Sequence, residues 1–98
     1  MPELNEIIHQ PVRLRIMATL VTLDAENEVD FSYLRDLLAV TDGNMGAHLR
    51  KLEDAGYITV NKTFIDRKPR TFISATAQGR KVFQEHVAAL EAILKSKP

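Results

Sequence analysis

The sequence predicts a mainly α-helical fold with one small antiparallel β-hairpin, in the α+β class. Three observations predict it: apolar residues recur at helical spacing before residue 56, the pattern becomes extended over 57–74, and helical spacing returns over 77–95. A chain of 98 residues has room for one hydrophobic core, so we expect a single domain over 1–98.

The N-terminal part carries two predicted helices. Leu4, Ile7 and Ile8 have helical spacing and predict a short first helix over 1–10, which ends before Pro11 because a proline disfavours helix in the residue before it. Pro11 then suits the first turn of a second helix. The predicted core stripe of that helix consists of Val12, Ile16, Leu20 and Leu23.

Two further helices meet across a turn of about three residues, which is the spacing of a helix-turn-helix. A very short extended segment over 29–31 leads to Ser32 as the N-cap of a helix over 33–39. Thr41 is the predicted N-cap of the next helix, and Gly56 is its natural stop. The buried stripe of this helix consists of Met45, Leu49, Leu52 and Ala55.

The segment after Gly56 predicts a hairpin with a basic tip, followed by a long helix. Strands over 57–65 and 70–74 flank a turn cluster over 66–69, and Thr76 caps a helix over 77–95. The whole chain has 13 basic and 13 acidic residues, yet the stretch 62–70 holds four basic residues and one acidic residue. The chain is therefore neutral in total but polarised along its length.

This order of elements, together with three motifs, resembles the winged-helix transcriptional regulators of the MarR and ArsR type. The first motif is the stretch 41–58 with its LxxLExxGxI ending, the second is the basic turn 66–71, and the third is Thr76-Ala77-Gln78-Gly79-Arg80. The resemblance covers the whole chain. It implies a three-helix core, a two-stranded wing, a long C-terminal helix, and a sequence-specific regulator that binds double-stranded DNA as a homodimer.

The helix over about 41–55 is the predicted recognition helix, which would lie in the major groove. On the side away from its core stripe, Asn44 suits an adenine edge, Ala47 suits a thymine methyl group, and His48 suits a base or a phosphate. Gly43 and Gly46 each cost a helix roughly 0.5–1 kcal/mol relative to Ala. That cost indicates a close approach, either to a binding partner or to the preceding helix.

The wing over about 62–70 would lie on phosphate or in the minor groove, stiffened by Pro69. A turn that is merely solubilising is the simpler alternative, since turns are generally polar. The predicted DNA-binding residues are Thr41, Asn44, Gly46, Ala47, His48, Arg50, Lys51, Lys62, Arg67, Lys68 and Arg70.

The last helix is long for so small a domain, and its apolar row recurs at intervals of four, three and four. We expect this row to pack in a twofold dimer together with the N-terminal helix. In the alternative, the row covers the core of its own chain. The predicted dimer residues are Leu4, Ile7, Ile8, Phe83, Val87, Leu90 and Leu94.

Catalytic and metal sites are not predicted. The sequence contains no glycine-rich phosphate loop, no His-Glu-x-x-His motif and no nucleophile signature, so we expect no enzyme. Cysteine is absent, and His9, His48 and His86 lack ligand spacing, so we expect no metal and no cofactor. No apolar stretch approaches the roughly 20 residues of a membrane span, so we expect neither anchoring nor export and a cytoplasmic location.

Two functional questions stay open at the level of sequence. A winged helix that binds another protein and has lost its affinity for DNA is the alternative function, which the zero net charge permits. The resemblance also leaves room for a small-molecule effector between the dimer helices and the helix-turn-helix. No convergent set of polar residues identifies a site for it.

Overall fold

The structure is a computed structural model that describes residues 3–96. Its elements are α1 (Pro11–Val21), β1 (Val29–Asp30), α2 (Phe31–Leu38), α3 (Asp42–Asp54), β2 (Ile58–Ile65), β3 (Lys68–Ala75) and α4 (Ala77–Lys95). The predicted α+β fold, with its helix-turn-helix, hairpin and long last helix, is confirmed. None of the helices in the described residues has the length and apolar character needed to cross a membrane.

The sheet has three antiparallel strands in the order β1-β3-β2. Strand β1 pairs Val29 with Ile73 and Asp30 with Phe72, so it covers only the base of the hairpin. The sequence predicted the extended segment but not its pairing. A strand of two residues is too short to show an alternation that would reveal a partner.

The core lies between the three helices and the inner face of the sheet. Apolar side chains from α1, α2, α3 and β3 meet there with almost no exposed surface, and half-buried residues of α4 pack against them. Burial of this apolar surface is the main force that holds the helix-turn-helix against the sheet. The most deeply buried of these residues are Ile16, Met17, Leu20, Leu34, Met45, Leu52 and Ile73.

Helix α2 begins two residues earlier than the sequence predicted. Asp30, and not Ser32, is its N-cap, because the Asp30 carboxylate accepts hydrogen bonds from the backbone N–H groups of Ser32 (2.7 Å) and Tyr33 (3.3 Å). The helix ends where Ala39 adopts a left-handed backbone with φ of 54°. The predicted N-caps of the two following helices, Thr41 and Thr76, are confirmed.

The predicted helix over 1–10 is wrong in the described part of that range. Residues 6–8 form a turn, and the side-chain oxygen of Asn5 accepts hydrogen bonds from the N–H groups of Ile7 (2.9 Å) and Ile8 (3.0 Å). Such local bonding by asparagine competes with helix formation, and a short segment gains little from a costly helix nucleus. Ile8 is fully buried in the core of its own chain, so its predicted place in a dimer interface is also wrong.

Helix α4 begins against the junction of α3 and β2. The Thr76 side chain donates to the Gly56 carbonyl (2.7 Å), and the Thr76 N–H donates to the Tyr57 carbonyl (3.0 Å). Gly79 lies so close that an added Cβ would be 2.0 Å from the Tyr57 oxygen. Glycine is required at this crossing because no side chain fits between the two backbones. The junction thereby holds α4 against the helix-turn-helix.

Candidate nucleic-acid interface

Helix α3 presents an apolar stripe to the core and a ridge of small residues to solvent. Met45, Leu49 and Leu52 are buried. Since an α-helix turns by about 100° per residue, Gly43 and Ala47 lie on the opposite side, and both are exposed. The outer surface of α3 near its N-terminus is therefore smooth and close to the backbone.

The two glycines of α3 do not serve packing within the chain. A Cβ added to Gly43 or to Gly46 would meet no atom within 4 Å. The alternative that a tight crossing of the preceding helix requires them is therefore wrong. Their cost to the helix is not offset by any contact among the described residues.

His48 lies on the flank of α3 that faces α1. It is half-buried, and its Nδ1 lies 3.1 Å from Nη1 of Arg13. The Nε of the same arginine donates to the Ile7 carbonyl. Because a guanidinium can only donate, Nδ1 accepts and the proton of a neutral ring is on Nε2. Burial, and then the charge of Arg13, lower the pKa of His48, so the ring is neutral at pH 7. His48 can offer a partner an N–H donor but not a positive charge.

The hairpin ends in a tight turn at Asp66 and Arg67, whose φ angles are 51° and 65°. Two consecutive left-handed residues are the geometry of a type I′ turn, which matches the twist of the strands. The predicted turn over 66–69 is thus too long, because Lys68 and Pro69 already belong to β3. A two-residue turn makes Phe64 and Pro69 a non-hydrogen-bonded pair, so the missing N–H of Pro69 costs no ladder bond.

Helix α3 and the hairpin border one groove. A cavity of about 310 Å³ is lined by Gly46, Leu49, Arg50 and Glu53 from α3, by Val60, Lys62 and Thr71 from the hairpin, and by Phe31 from α2. Arg50 and Lys62 therefore lie on opposite walls of the same depression. The two predicted DNA-binding elements border a common face of the molecule, which is the arrangement that a helix in one groove and a wing beside it require.

Several cations of α3 and the hairpin have no acidic partner within residues 3–96. The ion pairs within residues 3–96 join Arg35 to Asp36 and Asp42, and Arg70 to Asp30. Those pairs leave Arg50, Lys51, Lys62, Arg67 and Lys68 exposed and without a salt bridge to any described residue. Of these, Arg50 and Lys62 line the groove, where their positive charge favours an anionic partner.

Arg70 differs from the other wing cations because it is bound within the chain. Its Nε donates to Asp30 Oδ2 at 2.8 Å, its Nη2 donates to the same oxygen, and its guanidinium lies 5.6 Å from the centre of the Phe72 ring. These hydrogen bonds hold the pKa of Asp30 below its usual value. A phosphate would have to compete with this ion pair, so the predicted phosphate contact of Arg70 stays a prediction.

A second charged cluster lies where α3 begins. Arg35 of α2 donates to Asp42 (2.7 Å) and to Asp36 (3.0 Å). The two carboxylates raise the pKa of Arg35 above its usual value. Because Asp42 is paired, its negative charge is offset at the end of α3 where the helix dipole is positive.

Two further predicted DNA-binding residues, Thr41 and Asn44, lie at the start of α3. Thr41 is occupied as the N-cap of α3, where its hydroxyl accepts from the Asn44 N–H at 3.1 Å. Asn44 itself is exposed. Sequence reasoning missed two residues: Arg13, which positions His48, and Phe64, an aromatic residue left 73% exposed beside the turn. Only the alternation of β2, which places Phe64 on the face of Lys62, could have indicated the second.

Helix α4 carries two apolar faces about 90° apart by helical geometry. Its own core covers one face, with Gly79, His86 and Ala89 buried. The predicted row begins at Phe83, which packs partly against that core, and ends at Leu94, which is 75% exposed. The remaining predicted dimer residues with surface left to bury are the half-buried Leu4, Ile7, Phe83, Val87 and Leu90.

Similar proteins are known by sequence and by structure. A family model described as a winged helix DNA-binding domain matches residues 12–94. An uncharacterized protein of Methanocaldococcus jannaschii is 33% identical over 91 residues, which are 93% of this chain and 96% of that protein. A transcriptional regulator homologue from Pyrococcus horikoshii OT3 has a TM-score of 0.82 and 32% identity, covering 92% of this chain and 86% of that chain.

Two solved structures with the same fold contain DNA, and one of them illustrates the degree of similarity. FabT of Streptococcus pneumoniae, solved in complex with DNA, has a TM-score of 0.57 and 23% identity over 94% of this chain and 68% of that chain. At this identity the similarity establishes the fold and no more.

Proposed function

The chain belongs to the winged helix DNA-binding domain family, and we propose that it is a sequence-specific transcriptional regulator that binds duplex DNA as a homodimer. The observation that carries the proposal is the groove shared by α3 and the hairpin. It has Arg50 on one wall and Lys62 on the other. A phosphate strand of DNA fits between two such cations, with a base-reading helix on one side and a wing on the other.

The ridge of small residues on α3 is suited to the major groove. That groove is about 12 Å wide, close to the 10–12 Å diameter of a helix with its side chains. Gly43, Gly46 and Ala47 would let the α3 backbone approach the base edges closely, which accounts for glycines that no packing within the described residues requires. Asn44, exposed beside them, has the donor and acceptor that pair with an adenine edge.

The dimer is supported by the exposed row on α4. Val87, Leu90 and Leu94 lie on a face that the described residues leave partly open. Beside this row, Val21, Arg80, Phe83, Gln84 and Val87 line a groove of about 280 Å³. A second copy packed on this face would bury the apolar row and cover the groove beside it.

Selection from a pool of random duplexes tests the function as a whole. Enrichment of a near-palindromic site with half-sites about one helical turn apart is the expected result, because twofold protein symmetry imposes it. Failure to bind random duplex even at low salt would overturn the proposal and favour the protein-interaction module instead.

The salt dependence of binding tests the wing. If a dimer neutralises about eight phosphates, log K falls against log salt with a slope near −7. The substitution Arg67→Gln removes two charges from a dimer and should make the slope less steep by about 2. Lys81→Gln is the matched control, since Lys81 is an exposed cation on α4. Equal slopes for the two variants would exclude a phosphate contact by Arg67.

A further inference from the structure

The tip of the hairpin leaves a large aromatic side chain uncovered. Phe64 is 73% exposed and stands opposite Pro69 in the ladder. Every residue from 61 to 70 is exposed, and β1 pairs with β3 only at residues 72 and 73. The outer half of the hairpin therefore extends beyond the body of the domain with an apolar pair on one of its faces.

The other phenylalanine of the hairpin is treated differently. Phe72 is half-buried, and the Arg70 guanidinium lies over its ring while bound to Asp30. A cation held by an ion pair is an effective cover for an aromatic face. Among the described residues, no cation lies over the ring of Phe64 in this way. The hairpin therefore covers one of its two phenylalanines and leaves the other exposed.

The side chain of Phe64 lies on the face of the hairpin that borders the shared groove. Successive side chains of a strand alternate between faces, so Val60, Lys62 and Phe64 share one face. Val60 and Lys62 line the groove with α3. Phe64 is therefore the next outward position on the surface proposed to meet DNA.

The chemistry around Phe64 restricts its partner. Lys62 stands two residues before it on the same face, and Arg67 and Lys68 follow it at the turn. The partner must offer an apolar slot between anionic borders. The minor groove of a duplex has this form, since flat base pairs lie between two phosphate strands and apolar side chains are known to enter between them.

Resting on the proposed function, we propose that Phe64, backed by Pro69, is an apolar wedge that enters the minor groove, partly unstacks one base step and bends the DNA. The tight turn at Asp66 and Arg67 suits this role, because a two-residue turn leaves the tip little freedom to fold away. Steps that unstack readily, such as TA and CA, would be preferred at the contact.

The test measures DNA shape separately from binding. Duplexes of about 30 base pairs, labelled at both ends for energy transfer, carry either central TA steps or a stiff A-tract. Wild-type protein should shorten the end-to-end distance, and more so for the TA duplex. Phe64→Thr keeps a strand-forming residue and should bind with the same salt slope but leave the duplex nearly straight. Phe64→Leu should retain most of the bend.

Ile65→Thr is the matched control, because Ile65 is an exposed apolar neighbour on the opposite face of the hairpin. It should bend DNA as the wild type does. Bending by Phe64→Thr equal to that of the wild type, or wild-type binding without bending, would overturn the wedge and leave the proposed function standing. Absence of binding by the wild type at low salt would overturn both.

Discussion

Replacing Gly79 by alanine should strongly destabilise the domain. A Cβ at this position would lie 2.0 Å from the Tyr57 oxygen and 2.8 Å from its carbonyl carbon. Carbon–oxygen contacts normally lie near 3.3–3.6 Å, so the backbones must separate by about 1.3 Å. The Tyr57 carbonyl cannot yield alone, because it also accepts the N–H of Thr76 at 3.0 Å.

The magnitude follows from the contacts that such a separation breaks. Overpacking costs about 1–3 kcal/mol, and the loss of the two hydrogen bonds from Thr76 to Tyr57 and Gly56 costs about 2 kcal/mol in all. The better helix propensity of alanine returns about 1 kcal/mol at most. The net loss is about 2–4 kcal/mol, a large part of the roughly 5–15 kcal/mol that stabilises a domain of this size.

Urea unfolding followed by circular dichroism measures this effect, and the slope m should stay constant. Gly46→Ala is the matched control, because its Cβ would meet no atom within 4 Å. That variant should gain about 0.5–1 kcal/mol from helix propensity. Opposite signs for the same substitution are therefore expected. A stability of Gly79→Ala equal to that of the wild type would refute the account of the α4 crossing.

Three further outcomes are expected. Burial, and then the charge of His9, lower the pKa of the neutral His86, so the folded state binds fewer protons than the unfolded one. Stability should therefore fall as the pH drops below 6.5. His86→Phe should weaken this dependence in urea titrations, and the part due to His48, whose pKa is also lowered, should remain. The pKa of Asp30 is lowered chiefly by the hydrogen bond from Arg70. The stability that this pair contributes is therefore present above pH 3.8 and is lost as the pH falls through the lower pKa of the folded state. Arg70→Gln should cost about 0.2–1 kcal/mol at pH 7 and nothing at the acid end of the titration. If the proposed dimer forms through the α4 row, Leu94→Glu should give a monomer by light scattering without loss of helix, whereas a dimer that persists would place the interface elsewhere.

Much of the fold was accessible from the sequence because its signals are local. The α3 helix shows this best: the Thr41 cap, the stripe of Met45, Leu49 and Leu52, and the stop at Gly56 all lie within a few turns of each other. The same is true of Thr76 at the start of α4. The error over 1–10 has a local cause too, since an asparagine side chain satisfied the backbone that a helix would have used.

The functional face was predictable only as a set of residue types. Which polar side chains are free to contact DNA depends on partners that are distant in sequence. Asp30 binds Arg70 across forty positions, and Arg13 contacts His48 across thirty-five. The apolar periodicity of the sequence gives no indication of such pairs. The sequence therefore marked the basic hairpin, while the structure separated Arg70, which stabilises it, from Lys62 and Arg67, which have no salt bridge to any described residue.

By itself the sequence determined the order, type and approximate ends of most elements, because caps, turns and apolar periodicity act over a few residues. Tertiary structure alone decided that a two-residue strand pairs with β3, that Gly79 permits the crossing at Tyr57, and that α3 and the hairpin border one groove. Each of these depends on where the chain reverses and how closely two backbones approach. These distances are set by the packing of the whole domain, so no short segment of the sequence determines them.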